Sequence, residues 1–180
     1  MPIKKEQPLI TNIVLIGMPG TYKSSAGHLL ADSLGMNFLD TDDFFEFEYN
    51  MKIADCFKEY GEEFFRDLES KIIDRSGGFE NAVIATGGGV PERDDNMEKL
   101  KRHGLIILLT CDVKVIAKRV AKDNTRPLLR GGGKKQAVKK LWETRREKYK
   151  KYADITVDNT LLNPWQTAEA IQKKILEFYA

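Results

Sequence analysis

The sequence predicts an α/β protein, a parallel sheet flanked by helices on both sides, and three observations carry that expectation. β-rich runs recur at 12–16, 36–39, 81–85, 105–109 and 155–157. Longer stretches with helical spacing accompany them at 24–34, 62–75, 113–121, 136–152 and 164–179, the alternation that gives parallel strands joined by right-handed crossovers. The β-rich runs are also apolar nearly throughout, as strands covered on both faces are. At 180 residues, with 42% hydrophobic and 31% charged side chains, the chain is expected to make one domain over 1–180 that buries its own core without disulfide or metal staples.

The first run opens onto Gly17-Met18-Pro19-Gly20-Thr21-Tyr22-Lys23-Ser24-Ser25, followed by an apolar helical pattern. Strand, glycine loop and helix in this order make a phosphate site. Backbone N–H groups and the helix N-terminus surround the anion, the lysine reaches the outer phosphates, and the serine hydroxyl binds magnesium. In that pattern a glycine precedes the lysine, and here Tyr22 stands instead. If the position needs positive φ, a side chain there costs about 1–2 kcal/mol, so the expectation is a weakened but working loop.

The second run ends in Asp40-Thr41-Asp42-Asp43. Residues two apart on an extended segment point the same way, so Asp40 and Asp42 converge near the phosphates. One carboxylate suits hydrated Mg²⁺ and the other suits accepting a hydroxyl proton, while Asp43 is expected to cap the segment that follows. In the stretch 62–75, Arg66 has a helix-surface pair with Glu69, three residues on, as its simplest role. Beyond the third run lie Gly87-Gly88-Gly89, at the strand end where open parallel sheets bind ligands, and their lack of side chains lets backbone approach one closely.

After the fourth run and the stretch 113–121 come Arg126-Pro127-Leu128-Leu129 and then Gly131-Gly132-Gly133, flanked by Arg130, Lys134 and Lys135, expected to form a mobile loop. The stretch 136–152 carries Arg145, whose forked donors, like those of Arg66 and Arg126, suit carboxylate or phosphate better than a lysine would. The last helix has Pro164 in its first turn, where a missing N–H is harmless.

Charge is divided unevenly. Residues 1–100 hold 10 basic and 19 acidic side chains, whereas 101–151 hold 17 and 4, so the basic part suits a polyanion and the acidic part a cation. Nucleotide and nucleic acid both fit that division. Trp142, Tyr149 and Tyr152 sit at helical spacing, which marks them as packed rather than as a stacking surface and argues against nucleic acid. The early apolar run 13–16 falls far short of the roughly 20 residues that cross a bilayer and of a signal-peptide core. Cys56 and Cys111 have neither metal-ligand spacing nor a framework partner, so they are read as reduced thiols of a cytoplasmic protein.

Together, the loop Gly17 to Ser25, Asp40-Thr41-Asp42, the segment from Gly61-Glu62-Glu63 through Phe65-Arg66 to Glu69, Thr86-Gly87-Gly88-Gly89-Val90, Arg126-Pro127-Leu128-Leu129 and Arg145 through Tyr149 to Asp154 resemble shikimate kinase. The resemblance implies a three-layer P-loop kinase fold with a five-stranded parallel sheet, a lid at about 123–135 and a small helical substrate-binding region at about 41–72. It implies ATP-dependent phosphorylation of the 3-hydroxyl of shikimate, giving shikimate 3-phosphate and ADP, by a monomer with neither nucleic acid nor membrane as partner.

By position, the resemblance gives Lys23 and Ser24 the ATP phosphates and Mg²⁺, with Gly17, Gly20, Thr21, Tyr22 and Ser25 completing the nucleotide loop. Asp40 holds the metal through water and Asp42 is the candidate base. Arg66, Arg145, Gly87, Gly88 and Gly89 surround the shikimate carboxylate and ring. Arg126 reaches phosphate from the lid, Arg119 stacks on adenine, and the adenine loop falls at 158–164. Two other readings stand beside this one. A kinase of another polyol such as gluconate makes less use of paired arginines and a glycine run. A nucleotide-binding protein with impaired turnover is motivated by Tyr22 and opposed by the complete acceptor side.

Overall fold

The computed structural model describes residues 10–121 and 134–180. Five parallel strands, β1 (Asn12–Gly17), β2 (Asn37–Asp40), β3 (Ala82–Ala85), β4 (Gly104–Thr110) and β5 (Ile155–Asp158), form one sheet in the order β2-β3-β1-β4-β5. The helices are α1 (Lys23–Leu34), α2 (Thr41–Tyr49), α3 (Ile53–Ser76), α4 (Asp94–Lys101), α5 (Val113–Val120), α6 (Lys134–Tyr152) and α7 (Pro164–Tyr179), with a 3₁₀ turn at Val90–Glu92.

The sheet separates two cores, and the period of two along each strand decides which side chain enters which. Val14, Ile16, Ile84, Ile106 and Leu108 face one side, where Ile73 of α3, Met97 of α4, Ile116 of α5 and Tyr149 of α6 cover them. Ile13, Leu15, Val83, Ile107 and Leu109 face the other, against Leu30 of α1 and Ile171 of α7. Each such aliphatic side chain contributes about 1.5–3 kcal/mol when fully buried, which is why β1, β3 and β4 tolerate almost no polar position. The edge strand β5 departs from the expected all-apolar reading. Ile155 and Val157 are buried while Thr156 and Asp158 are exposed, because only one of its faces is covered.

Three helices also differ from the sequence expectation. α3 starts at Ile53, ahead of the expected 62, and Gly61 interrupts it with φ 84°, so two helical segments with different faces run together. α4 was not foreseen: its eight residues are mostly charged, and only Asn96, Met97 and Leu100 are buried. The cap of α2 is Asp40, whose side chain accepts a hydrogen bond from Asp42 N at 2.9 Å, rather than Asp43, which already lies within the helix.

A third cluster fixes α2 against α3. Phe45, Cys56, Phe65 and Ile72 are buried together, with ring centroids 5.0 Å apart for Phe45 and Phe65 and 4.7 Å apart for Phe57 and Phe65. This aromatic wedge gives Arg66, the next residue, a fixed position. Tyr149 and Tyr152 are buried and Trp142 packs beside them, as their spacing predicts. Cys56 is buried and Cys111 half-buried, both as free thiols. Among the described residues no helix is long and apolar enough to cross a membrane. The loop expected at 123–135, including Arg126 and the Gly131-Gly132-Gly133 run, lies outside the described residues apart from positions 134 and 135.

Candidate active site

The carboxyl ends of β1, β2 and β3 bring three loops to one side of the sheet, where open α/β sheets place their ligands. Gly17 leaves β1 with φ 143°, and a Cβ there would stand 2.4 Å from the Leu109 carbonyl; only glycine turns the chain at this point. Thr21 Oγ1 donates to Met18 O at 2.8 Å, and Lys23 Nζ donates to Gly17 O and Met18 O, each at 2.9 Å. These bonds shape the loop and hold the ammonium over it. Ser24 and Ser25 are exposed in the first turn of α1, where backbone N–H groups and the helix dipole favour anions.

Tyr22 adopts φ 63° and ψ 23° at the N-cap of α1. The position does require the left-handed conformation, at a cost of about 1–2 kcal/mol for a side chain. Its ring, however, lies under the Arg119 guanidinium, 3.9 Å from centroid to Cζ, and a contact of that kind returns about 0.5–2 kcal/mol. Strain and stack are thus of similar size. Arg119 is held further by Gly20 O at 3.2 Å, Asn159 Oδ1 at 3.3 Å, Asn159 O at 3.0 Å and Leu162 O at 3.3 Å. Asn159, fully buried, donates from Nδ2 to Thr21 O at 2.7 Å. The segment expected to meet adenine is therefore tied to the phosphate loop through Arg119 and Asn159. One face of Arg119, expected to be available for stacking, is taken by Tyr22.

Asp40, Asp42, Lys23 and Ser24 line one pocket with Gly20, Tyr22, Ser25 and Thr86. The two aspartates converge as expected but for a different reason. Asp42 sits on α2 rather than on an extended segment, and Asp40 is drawn to it by capping that helix. Asp42 also abuts the glycine run: a Cβ on Gly87 would stand 2.7 Å from Asp42 Oδ1 and 2.9 Å from Glu69 Oε1. A Cβ on Gly88 would meet Pro19 of the phosphate loop at 2.9 Å, and one on Gly89 would overlap the Arg66 guanidinium at 2.2 Å. Three successive glycines thus let the acid, phosphate and guanidinium parts of the site close on one another. Gly87 N donates to Thr41 Oγ1 at 2.9 Å and Tyr149 OH to Gly88 O at 2.6 Å, which fixes the run.

Arg66 and Glu69 form the i, i+3 pair that their spacing predicts, at 2.7 Å, but it is not on the surface: the side chains are 8% and 6% exposed. Burial pushes the Glu69 carboxyl above its usual range, offset in part by Arg66 and Arg145. Arg66 also reaches Glu62 at 3.2 Å, and its Nε has no hydrogen-bond partner among the described residues. Arg145, 4% exposed, is held by Glu92 through two bonds, Nε to Oε1 at 2.6 Å and Nη2 to Oε2 at 3.2 Å. The phenol of Tyr149 is pushed far above its usual range, chiefly by burial, so it stays a hydrogen-bond donor.

Of the residues expected at the site, the structure thus brings together the phosphate loop, Asp40, Asp42, Arg66, Gly87, Gly88, Gly89, Arg119 and Arg145. Glu69, Glu92 and Asn159 are additions to the site. Glu69 carried a signal in its distance from Arg66; the other two contact partners 53 and 138 residues away in sequence and carried none.

Comparison with known proteins decides the family. The shikimate kinase family model matches residues 19–179. The shikimate kinase of Thermodesulfovibrio yellowstonii is 41% identical over 163 residues, covering 91% of this chain and 94% of that protein, and that of Persephonella marina is 40% identical, covering 91% and 98%. The chain belongs to the shikimate kinase family. Its fold superposes on a shikimate kinase from Acinetobacter baumannii solved in complex with shikimate, with a TM-score of 0.90, 31% identity and 98% of each chain covered. A gluconokinase from Sinorhizobium meliloti gives a TM-score of 0.56 at 15% identity, a likeness of fold alone.

Proposed function

We propose that the protein transfers the γ-phosphoryl group of ATP to the 3-hydroxyl of shikimate, giving shikimate 3-phosphate and ADP. The observation that carries this reading is that Lys23 and Asp42 line the same pocket, so a phosphate-binding loop and an acceptor-side carboxylate face one space. Membership of the shikimate kinase family, and the shikimate bound by the A. baumannii relative, support the choice of acceptor.

The residues present fit a nucleotide triphosphate. A side chain on Gly17 or Gly20 would collide with the chain, at 2.4 Å and 2.8 Å, so the loop presents backbone, and the start of α1 lies beside it. They also fit Mg²⁺ in the form it takes with phosphates, held by few protein oxygens and several waters. Ser24 and Asp40 would hold it, and when bound it supplies positive charge to the phosphate oxygens. In this assignment Arg66 and Arg145 orient the shikimate carboxylate, and the glycine run leaves room for the ring. Asp42 accepts the proton of the 3-hydroxyl as that oxygen bonds to phosphorus and the bond from phosphorus to the ADP oxygen breaks. Lys23 offsets charge on the transferred group, as does Arg126, which is assigned from the resemblance alone. Most of the rate then comes from position and electrostatics, as phosphoryl transfer requires.

A coupled assay of ADP release, run with and without shikimate and with gluconate in parallel, tests the proposal. ADP formed in step with shikimate, with shikimate 3-phosphate recovered, is the expected result. ADP release that is indifferent to shikimate, or that follows gluconate instead, overturns it.

A further inference from the structure

Glu92 takes part in none of the steps above, yet it occupies the centre of the acid side. It ends the 3₁₀ turn that follows the glycine run, and its two oxygens meet Arg145 Nε and Nη2 at 2.6 Å and 3.2 Å. Paired contacts of this kind are how a guanidinium holds any carboxylate, including that of a ligand. Glu92 Oε2 also lies 3.9 Å from Arg66 Nη2, so this one carboxylate reaches both arginines assigned to the substrate acid.

We propose that Glu92 is an internal competitor for the substrate carboxylate: it occupies the guanidinium pair that the acid needs, and binding is an exchange of one carboxylate for the other. The inference rests on the assignment of Arg66 and Arg145 to the shikimate carboxylate.

Charge and burial together require an exchange rather than a simple addition. The two guanidiniums already face Glu62, Glu69 and Glu92, so a fourth carboxylate would enter a region with no surplus positive charge. The cations cannot make room, because their side chains are only 8% and 4% exposed and a buried guanidinium stripped of its counter-charge is costly. Glu69 is equally fixed, 6% exposed on the same helix as Arg66. Glu62 is solvent-accessible but reaches Arg66 alone. Glu92, 36% exposed, reaches both arginines and is open to solvent on one side. It is the anion that can leave, since Arg66 keeps Glu62 and Glu69 and the arriving acid takes the place of Glu92 on Arg145. The apparent affinity for the acid is then its intrinsic affinity reduced by the fraction of molecules in which Glu92 has swung out.

The exchange makes a prediction that a merely structural role does not. In Glu92→Gln the side chain keeps its shape and loses its charge, so shikimate measured by calorimetry without nucleotide should bind about 5- to 10-fold more tightly, the fraction penalty having been lifted. The methyl ester of shikimate has no carboxylate to exchange and should gain nothing, and ATP affinity should stay the same in the two proteins. Equal or weaker shikimate binding by the variant overturns the exchange and leaves the substrate assignment standing, since the unmodified protein binds. An equal gain for acid and ester overturns it too, because the pocket has then only loosened. Binding of shikimate by neither protein overturns both.

Discussion

The two ends of the site hold their arginines by opposite means. At the nucleotide end Arg119 donates to uncharged oxygens of Gly20, Asn159 and Leu162 and rests on the Tyr22 ring, so its position is fixed while its charge is left uncompensated by these partners. At the acid end Arg66 and Arg145 are fixed by Glu62, Glu69 and Glu92, and position comes with neutralisation. The difference matches the ligands assigned to each end. A triphosphate carries several charges and benefits from a positive field around the loop. A ring bearing one carboxylate gains little from a field and more from forked donors set at a defined angle. Dense positive charge at the acid end would serve phosphate as readily as shikimate.

Asp42 stands where the ends meet, and altering it has the largest expected effect on the reaction. Asp42→Asn keeps the shape and removes the proposed proton acceptor, so kcat should fall by at least about 10²-fold, with the KM for ATP and for shikimate nearly unchanged in steady-state assays. Retained turnover would remove the carboxylate from the chemistry and leave the two ends as a binding frame only.

The next contrast is in stability. Arg66→Ala strands Glu69 in a buried site without its cation, and breaking such a pair costs about 3–5 kcal/mol. Arg119→Ala leaves only neutral oxygens behind, with no stranded charge, and should cost about 1–3 kcal/mol from lost bonds and stacking. Urea unfolding of the two variants checks the order. Equal losses would mean that the carboxylates at the acid end do not anchor their arginine more firmly than carbonyls do.

Much of this layout can be read from the chain, and the exceptions share a cause. Strands β1, β3 and β4 are legible because covering both faces leaves nearly every position apolar. The phosphate loop is legible because its chemistry needs residues adjacent in sequence. The pairing of Arg66 with Glu69 is visible as a three-residue spacing, but its burial is not, since that depends on the Phe45–Phe65 wedge assembled from two helices. Helix α4 is hidden because its eight residues bury only three. Glu92 and Asn159 are hidden because their partners come from distant segments. Asp40 shows the remaining limit: its role as cap and its place in the pocket are one fact in three dimensions, and in the sequence they read as alternatives.

Tyr22 allows the nucleotide end to be dissected more finely, because strain and stacking there can be separated by three substitutions. Tyr22→Ala keeps the left-handed backbone cost and loses the ring, so it should be the least stable, by about 0.5–2 kcal/mol relative to Tyr22. Tyr22→Gly loses the ring as well but regains about 1–2 kcal/mol of backbone cost, and should unfold close to the unmodified protein. Tyr22→Phe keeps the ring face and should match Tyr22 in both stability and ATP affinity. If Ala and Gly prove equally stable, the left-handed conformation is not the constraint that distinguishes this loop.

The smallest expected effect concerns the outer rung of the seam between α4 and α6, the helix that carries Arg145. Asp94 on α4 accepts hydrogen bonds from Lys148 and Lys151 of α6. Hydrogen bonds from Lys148, Tyr152 and Lys151 hold its carboxyl far below the ordinary value of 3.8. Because the folded protein binds this proton less readily than the unfolded chain, the stabilisation is fully present above about pH 3.8 and is lost progressively as the pH falls below it. The groups are exposed, so solvent and salt screen the pair and the contribution is small. The difference in melting temperature between Asp94→Asn and the unmodified protein should therefore be slight and constant from pH 5 to pH 7, shrink in added salt, and close on acidification below about pH 4. A difference that persists unchanged into acid would assign the effect to packing at the helix start rather than to charge, and the rim of this seam would then resemble the uncharged tethers around Arg119 more than the buried pairs beside it.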